Sequence, residues 1–411
     1  MLTIGPKAVS ARRDWSRVAG FLVILFGMGS VGLAGGVIGP LLVPISASTG
    51  DERLAQTVVV MPFLGIAISG LVAGWIADRL GVRGTLGVGA LAFAAAGFIG
   101  FFGLSAPFLL GASFLVGASA GLMKVGAALL LGQLYNDKAR ARVIGYAMAF
   151  AGLIATAAVG FSGVIADWVG WRAAFLQFIA GGALVLAFTL VAVRPSPRAA
   201  AEHDADRPRL SLLAPVVAYF AAVFLVMMLG SSTGTHVPLL LQEVGVRTAT
   251  TTSMVLSMQA LFAIGGALGY ARLRARLGRL PVGALGLAGL VLGAVTLGTA
   301  QSPVLFGAGC ALFGLATGLI LPYLMEGLYA RAPLSVRGYA LGIHGTLGYI
   351  GAFANPFLIR PLREAVGLDG LYLVLAVVTA VIGAAFLLAA YNQGRAPAGA
   401  TPVPEPVAPK P

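Results

Sequence analysis

The sequence predicts an all-α membrane protein, with twelve transmembrane helices in two six-helix pseudo-repeat halves. The first reason is composition: 59% of the 411 residues are hydrophobic and only 10% are charged, whereas soluble domains carry roughly 25% charged residues. With 27 basic and 14 acidic side chains, the chain cannot clothe an aqueous surface of its size, so the bilayer is its main solvent. The second reason is a series of apolar stretches about 20 residues long. At about 1.5 Å per residue, that length crosses a hydrocarbon core of roughly 30 Å. The third is that the two halves repeat one another in places. The net charge of +13 would suit a nucleic-acid partner if the cations clustered on a water-facing surface. They lie instead between apolar runs, which sets that class aside. The single Cys310 rules out an internal disulfide and a cysteine-built metal cluster, and reads as a core residue.

Taken in order, residues 1–17 carry Lys7, Arg12, Arg13 and Arg17 and form a cationic N-terminal segment. Span 1 (18–43) has no convincing cleavage site and reads as an uncleaved helix rather than a signal peptide. Its Gly27, Gly29, Gly32, Gly35, Gly36 and Gly39 before Pro40 fit either close packing or a bending helix. Span 2 (54–77) stops at Asp78-Arg79, span 3 (84–104) is apolar, and span 4 (107–134) is interrupted by Lys124. Spans 5 (143–166) and 6 (172–193) complete an N-terminal half over 18–193. Residues 194–211 hold three prolines, several charges and His203, and read as a central loop. The C-terminal half, 212–391, contains spans 7 (212–241), 8 (249–271), 9 (281–300), 10 (303–329), 11 (338–359) and 12 (370–391). Residues 392–411 have prolines at 397, 402, 404, 406, 409 and 411, a composition that packs no core and is expected to be disordered.

Placing both termini in the cytoplasm puts most of the 27 basic residues on that side. It leaves Arg53, Arg172, Arg247, Arg360 and Arg363 outside and Lys124 alone within a span, the bias of the positive-inside rule. The expectation is therefore a multi-pass protein of a bacterial-type inner membrane. The halves share short strings. Leu134-Tyr135 and Gly145-Tyr146-Ala147 recur as Leu328-Tyr329 and Gly338-Tyr339-Ala340, and Asp78-Arg79-Leu80-Gly81 has a degraded partner in Ala275-Arg276-Leu277-Gly278. Two six-span halves in parallel repetition are a transporter architecture.

The strongest local signal is Gly74-Trp75-Ile76-Ala77-Asp78-Arg79-Leu80-Gly81-Val82-Arg83 at the inner end of span 2. It resembles the signature of the major facilitator superfamily between helices 2 and 3. A second segment, from Gly163 and Asp167 to Gly170-Trp171-Arg172-Ala173-Ala174-Phe175, resembles that family's boundary between helices 5 and 6. With the span count, central loop and repeat, the resemblance covers almost the whole chain. It implies secondary active transport by alternating access. It also implies a conformational latch of Gly74, Asp78, Arg79, Gly81, Arg83 and Arg142, closing the cytoplasmic ends of the halves near Ser335 to Gly338. The physics of Asp78 agrees, because an anion at a helix C-terminus opposes the macrodipole and needs a cation or another helix's N-terminus. The chain departs from the family pattern at Val82, where arginine is common. Ser113 stands where an arginine precedes the Gly117 position, which weighs against the common form of proton coupling. No proline lies between Val143 and Ala166, which weighs against a typical drug/proton antiporter.

Two-half transporters hold their solute near the midplane, and the resemblance implies a cavity lined by helices 1, 4, 7 and 10. An ionisable side chain at that depth is costly and so a functional candidate. Lys124 is the N-terminal half's candidate, on a face of small residues (Gly117, Ala120, Gly121, Ala127, Ala128), although a lysine can also snorkel to the surface. The C-terminal half offers Ser231, Thr233 and His236 in span 7, Gln259 in span 8, Tyr323 in span 10, and His344 and Asn355 in span 11, with Tyr349 beside them. A histidine changes charge near neutral pH, which makes His344 a candidate carrier of a coupling proton. The region holds one lysine and two histidines but no clear carboxylate. The expected substrate is therefore a small organic anion such as a carboxylate, paired with Lys124. Efflux of hydrophobic drugs or metabolites is the alternative. No cofactor is expected beyond protons as a coupling ion. The protein reads as a monomer whose partners are its solute and the lipid bilayer.

An intramembrane enzyme is the reading from another class. Gly160-Phe161-Ser162-Gly163 is similar to a rhomboid-protease string, but twelve spans exceed that core and no partner histidine stands at the required depth. His203, His236 and His344 show no metal-ligand spacing.

Overall fold

The computed structural model describes residues 6–103, 105–193 and 210–395. The predicted central loop up to residue 209, His203 included, and the Pro-rich tail from residue 396 lie outside them. The first helix starts at Pro6 and continues unbroken to Gly36, so the cationic segment and the first span are one helix. Its membrane part, α1 (Val18–Thr49), contains a 3-10 turn at Gly39–Leu41, where Pro40 removes a backbone donor. Helix Glu52–Phe102 is broken at Gly81 into α2 (52–80) and α3 (82–102). Then come α4 (Ala106–Leu134), α5 (Asp137–Trp168) and α6 (Leu176–Ala192). The second half holds α7 (Val217–Glu243), α8 (Ala249–Leu277), α9 (Arg279–Thr299) and α10 (Pro303–Arg331). Helix Arg337–Arg395 is broken at Gly367 into α11 (337–366) and α12 (368–395). Among the described residues, ten stretches are long and apolar enough to cross a membrane, and the two glycine breaks divide the two longest of them, for a total of twelve segments.

One shift of 197 residues relates the halves. It carries 52–80 onto Ala249–Leu277, 82–102 onto Arg279–Thr299 and Ala106–Leu134 onto Pro303–Arg331. The glycines at the corresponding junctions share a backbone state. Gly81 (φ 67°, ψ 175°) matches Gly278 (φ 87°, ψ 174°), and Gly170 (φ 108°, ψ 151°) matches Gly367 (φ 77°, ψ 176°). That region of φ/ψ space is open essentially to glycine alone. The packing repeats too. A Cβ on Gly117 would lie 1.9 Å from the Pro62 carbonyl oxygen, and one on Gly314 would lie 2.1 Å from that of Gln259. Hence α2 meets α4, and α8 meets α10, with backbones closer than any side chain permits. The Leu-Tyr and Gly-Tyr-Ala strings are out of this register, since Leu134 corresponds to Arg331 rather than Leu328. They flank the loops that follow α4 and α10, and they do not pack alike, since Leu328 is fully buried and Leu134 is exposed.

The buried apolar residues form clusters that follow the halves. Two involve mainly α1 to α6 and one mainly α7 to α12. The crossings are informative, because Val159 of α5 packs into the C-terminal cluster and Leu239 of α7 into an N-terminal one. Both lie toward the face opposite the one carrying Arg79, Arg83, Arg142, Arg276 and Arg337, called the basic face below.

Candidate substrate site between the halves

Glycines along α5 measure how the gap between the halves changes with depth. A Cβ on Gly163 would meet the Ala249 carbonyl oxygen of α8 at 2.2 Å, one on Gly152 would meet Ile264 at 2.5 Å, and one on Gly145 would meet nothing within 4 Å. Likewise Gly70 and Gly74 on α2, and Gly338, Gly342 and Gly345 on α11, face open space. The halves are therefore joined on the face opposite the basic one and part toward the basic face.

A cavity of about 380 Å³ lies at this junction. Its N-terminal wall is small or apolar: Gly32, Gly35 and Gly36 of α1, Val59 and Phe63 of α2, Ala155 and Val159 of α5. Its C-terminal wall supplies the polar groups, namely Ser231 and Thr233 of α7, Gln259 of α8, Thr317 of α10 and Tyr349 of α11. Gln259 is tied into the wall, its Nε2 donating to the Gly230 carbonyl at 3.0 Å while Oε1 accepts from Thr233 Oγ1. Ser231 Oγ is within reach of the Met228 and Ala352 carbonyls, at 2.9 and 3.1 Å. Lys124 of α4 is half-buried, and its Nζ donates to Tyr349 Oη at 3.4 Å, across the two halves. The ammonium stands 5.5 Å from the Tyr349 ring centroid. Among the described residues no carboxylate lies within ion-pair distance of it.

On the joined face, Asp167 at the end of α5 accepts from Ala249 N (2.9 Å), Thr250 N (2.8 Å) and Thr250 Oγ1 (2.6 Å). A carboxylate from one half thus caps the N-terminus of a helix of the other, where free N–H groups and the helix dipole favour an anion. Under the 197-residue shift, Asp167 and Thr250 become Glu364 and Arg53, which approach at 4.0 Å. Arg363 pairs with Glu52, and Arg360 donates to Gln56 Oε1 at 3.2 Å. Gln56 Nε2 in turn donates to the Thr235 carbonyl at 3.4 Å.

A profile of the Major Facilitator Superfamily matches residues 24–356. The chain belongs to the Major Facilitator Superfamily. Among curated relatives, the arabinose-proton symporter of Escherichia coli K12 is 29% identical over 188 residues, 44% of this chain and 37% of that protein. The multidrug resistance protein MdtL of Shewanella oneidensis is 29% identical over 169 residues, 41% of this chain and 43% of that protein. Each match thus spans less than half of the relative's length. Among solved structures, the peptide transporter POT in complex with alafosfalin has a TM-score of 0.74 at 16% identity, covering 92% of this chain and 95% of that one. The D-xylose-proton symporter has a TM-score of 0.71 at 17% identity, covering 92% and 96%. At such identities the likeness is one of fold. Family and relatives point to a transporter, not to an enzyme.

Against this superfamily frame, the sequence-derived candidates separate. Ser231, Thr233 and Gln259 meet at the cavity; Thr317, overlooked in the sequence, joins them, as does Tyr349, whose hydroxyl ties Lys124 to this wall although Lys124 itself is outside the lining. Asn355 is fully buried with both ends of its amide used, accepting from Thr235 Oγ1 and donating to the Met228 carbonyl, each at 2.8 Å. It pins α7 to α11 rather than lining the cavity. His236 is fully buried and neither ring nitrogen has a partner, and it too lies outside the lining. His344 is also buried away from the cavity, because five residues carry it about 140° around α11 from Tyr349. Tyr323 faces α9 instead, where Gly283 leaves room for its ring.

The superfamily signature of α2 stands open. Asp78 is exposed and has no hydrogen-bond or ion-pair partner among the described residues. Arg79 lies 3.8 Å over the Trp75 ring of its own helix. Neither Arg83 nor the exposed Arg142 bonds to the C-terminal half. Gly74 has free space around it, and Gly81 has the conformational role of turning α2 into α3. The contacts expected of a latch are not made among the described residues, and the halves have parted on this face.

Proposed function

We propose that the protein is a secondary active transporter that works by alternating access and moves a small organic anion. The observation that carries this reading is Lys124, an intramembrane cation at the meeting of the halves whose hydrogen-bond partner is the Tyr349 hydroxyl. A charge at membrane depth without a counter-ion is costly, and an anionic solute would relieve that cost. Thr233, Gln259, Ser231 and Thr317 would orient the polar parts of the solute, while Phe63, Met227 and Leu321 would hold its apolar body. Since Lys124 and Tyr349 belong to different halves, an anion inserted between them would report on the closure of both.

With the basic face assigned to the cytoplasm by its charge, this is the inward-open state of a multi-pass inner-membrane protein with both termini inside. Return to the outward-open state would break the Asp167 contact and bring the Asp78 region against the start of α11. Protons are the proposed coupling ion, a reading supported by the proton symporter among the relatives. His344, buried on α11 outside the cavity lining, is a group that could bind the proton without occupying the solute's place. A second reading, efflux of apolar compounds, is favoured by the largely apolar cavity wall and by the multidrug resistance protein among the relatives.

Ligand-dependent thermal stabilisation of wild type and Lys124→Ala, over matched panels of organic anions, cations and neutral solutes, separates the two readings. The expected result is an anion that stabilises the wild type and binds Lys124→Ala at least about tenfold more weakly, the value of a charged hydrogen bond. Cations or apolar compounds that stabilise both proteins equally would replace the anion reading with efflux.

A further inference from the structure

A second cleft, of about 340 Å³, lies wholly within the C-terminal half, between α7, α9, α10 and α12. Its wall is apolar, and exposed Ala218, Ala221, Val378 and Ile382 show that it opens sideways between α7 and α12, where the bilayer lies. On α12 the lining extends from Leu375 to Leu387, which is about 18 Å at 1.5 Å per residue. One leaflet contributes roughly half of a 30 Å hydrocarbon core. The cleft therefore matches the length of a single acyl chain reaching from the basic face to the midplane.

Its basic-face end carries cations on aromatic groups. Arg279 Nη2 and Arg331 Nη1 both donate to Tyr219 Oη, at 3.0 and 2.6 Å, and the Arg279 guanidinium stands 4.7 Å over the Tyr323 ring. Tyr323, which lines the cleft, is 2% exposed and its hydroxyl has no partner; Arg279 Nε is likewise buried and unpaired. The neighbouring carboxylate, Glu326, is engaged by Tyr270 and by Arg274, whose Nη2 lies 2.9 Å away. Arg279 has no carboxylate within ion-pair distance among the described residues.

The fold does not require this cluster, because the N-terminal half builds the corresponding place without it. The 197-residue shift puts Val82, Leu86, Gly126 and Leu134 at the positions of Arg279, Gly283, Tyr323 and Arg331. There the large and small partners are exchanged: Leu86 packs on Gly126, whereas Tyr323 packs on Gly283. One half fills this place with aliphatic side chains, and the other puts Tyr323 in the cleft wall with Arg279 and Arg331 beyond it.

We propose that the cleft binds an anionic phospholipid from the basic-face leaflet. One acyl chain lies along α12, and the headgroup phosphate accepts from Arg279 and from the Tyr323 hydroxyl, with Arg331 beside them. Charge-assisted bonds from guanidinium to phosphate supply the selectivity, and the apolar wall supplies the chain's affinity.

Native mass spectrometry of the full-length protein, titrated with phosphatidylglycerol or phosphatidylcholine of identical chains, tests this. The wild type should retain one phosphatidylglycerol about fivefold more tightly than phosphatidylcholine, the worth of one basic group near a lipid surface. Arg279→Gln should remove that preference, and Ala221→Phe, at the exposed mouth, should weaken both lipids. Arg276→Gln, an exposed arginine of the same face that does not reach the cleft, should change neither. The proposal is overturned if Arg279→Gln keeps the preference or if Ala221→Phe, with unaltered thermal unfolding, binds both lipids as before. Equal retention of glycerol phosphate without chains, or dimers in the spectra that Ala221→Phe abolishes, would also overturn it.

Discussion

The two faces of this superfamily member carry opposite kinds of polar contact. On the face opposite the basic one, bonds cross between halves: Asp167 to the start of α8, Arg363 to Glu52, Arg360 to Gln56. On the basic face they stay within a half, as in Arg274 with Glu326 and Arg79 over Trp75. The pair Asp167 with Thr250 and its repeat counterpart Glu364 with Arg53 show how unequal two symmetry-related contacts can be. The first joins three donors, two of them backbone amides at a helix N-terminus. The second is a 4.0 Å approach between side chains 73% and 58% exposed, a geometry that contributes little in water. On the side of the weaker contact the joined face is held instead by its neighbours, Arg363 on Glu52 and Arg360 on Gln56.

Breaking the stronger contact should have the largest effect. Asp167→Ala removes a carboxylate whose charged hydrogen bonds are worth about 1.5 to 3 kcal/mol each in protected sites, discounted here by solvent at the exposed edge. It should shift the equilibrium toward opening of this face about tenfold. The reading is thiol labelling of Ser253→Cys, a buried interface position, against the low background of the buried Cys310. Unchanged labelling would mean that apolar packing alone holds the face shut. Next in size, Gly278→Ala places a side chain at φ 87°, ψ 174° and should cost about 1 to 3 kcal/mol, seen as a lower midpoint of thermal unfolding. On the open face, Asp78→Asn should leave that midpoint unchanged, because Asp78 bonds to nothing among the described residues in this state, yet slow the transport cycle more than it weakens binding. Equal loss of binding and turnover would place Asp78 outside the latch. Smallest of all, Arg53→Gln should alter stability by less than about 0.5 kcal/mol, and its labelling of Ser253→Cys should equal the parent's.

Some of the candidate site was readable in the chain. Lys124 stands out because a lone cation in an apolar span is expensive anywhere in the bilayer, whatever it packs against. The hydroxyl run of α7 was equally visible, but its division was not: Ser231 and Thr233 reach the cavity, while Thr235 and His236 are sealed in the joined seam. Tyr323 and His344 looked equivalent to them by depth alone, and helix rotation sent both elsewhere. The acidic and basic ends Glu52-Arg53 and Arg363-Glu364 were a legible sign of contact on the opposite face, since charges of both signs flank paired spans there. Which of them meet depends on the relative placement of α2 and α11.

By itself the sequence determined the twelve apolar segments, the sidedness of the basic residues and the superfamily signature, because hydrophobic length, loop charge and a local motif are properties of contiguous residues. The match of Asp78-Arg79-Leu80-Gly81 to Ala275-Arg276-Leu277-Gly278 already carried the 197-residue offset; the tertiary structure decided that this register, rather than that of the Leu-Tyr strings, runs through the half, and it alone decided the joined and parted faces, the Lys124 to Tyr349 contact and the cleft under Tyr323. Each of these depends on how helices far apart in the chain rotate and approach one another. Only where glycines let backbones touch, as at Gly117 and Gly314, does that approach become fixed.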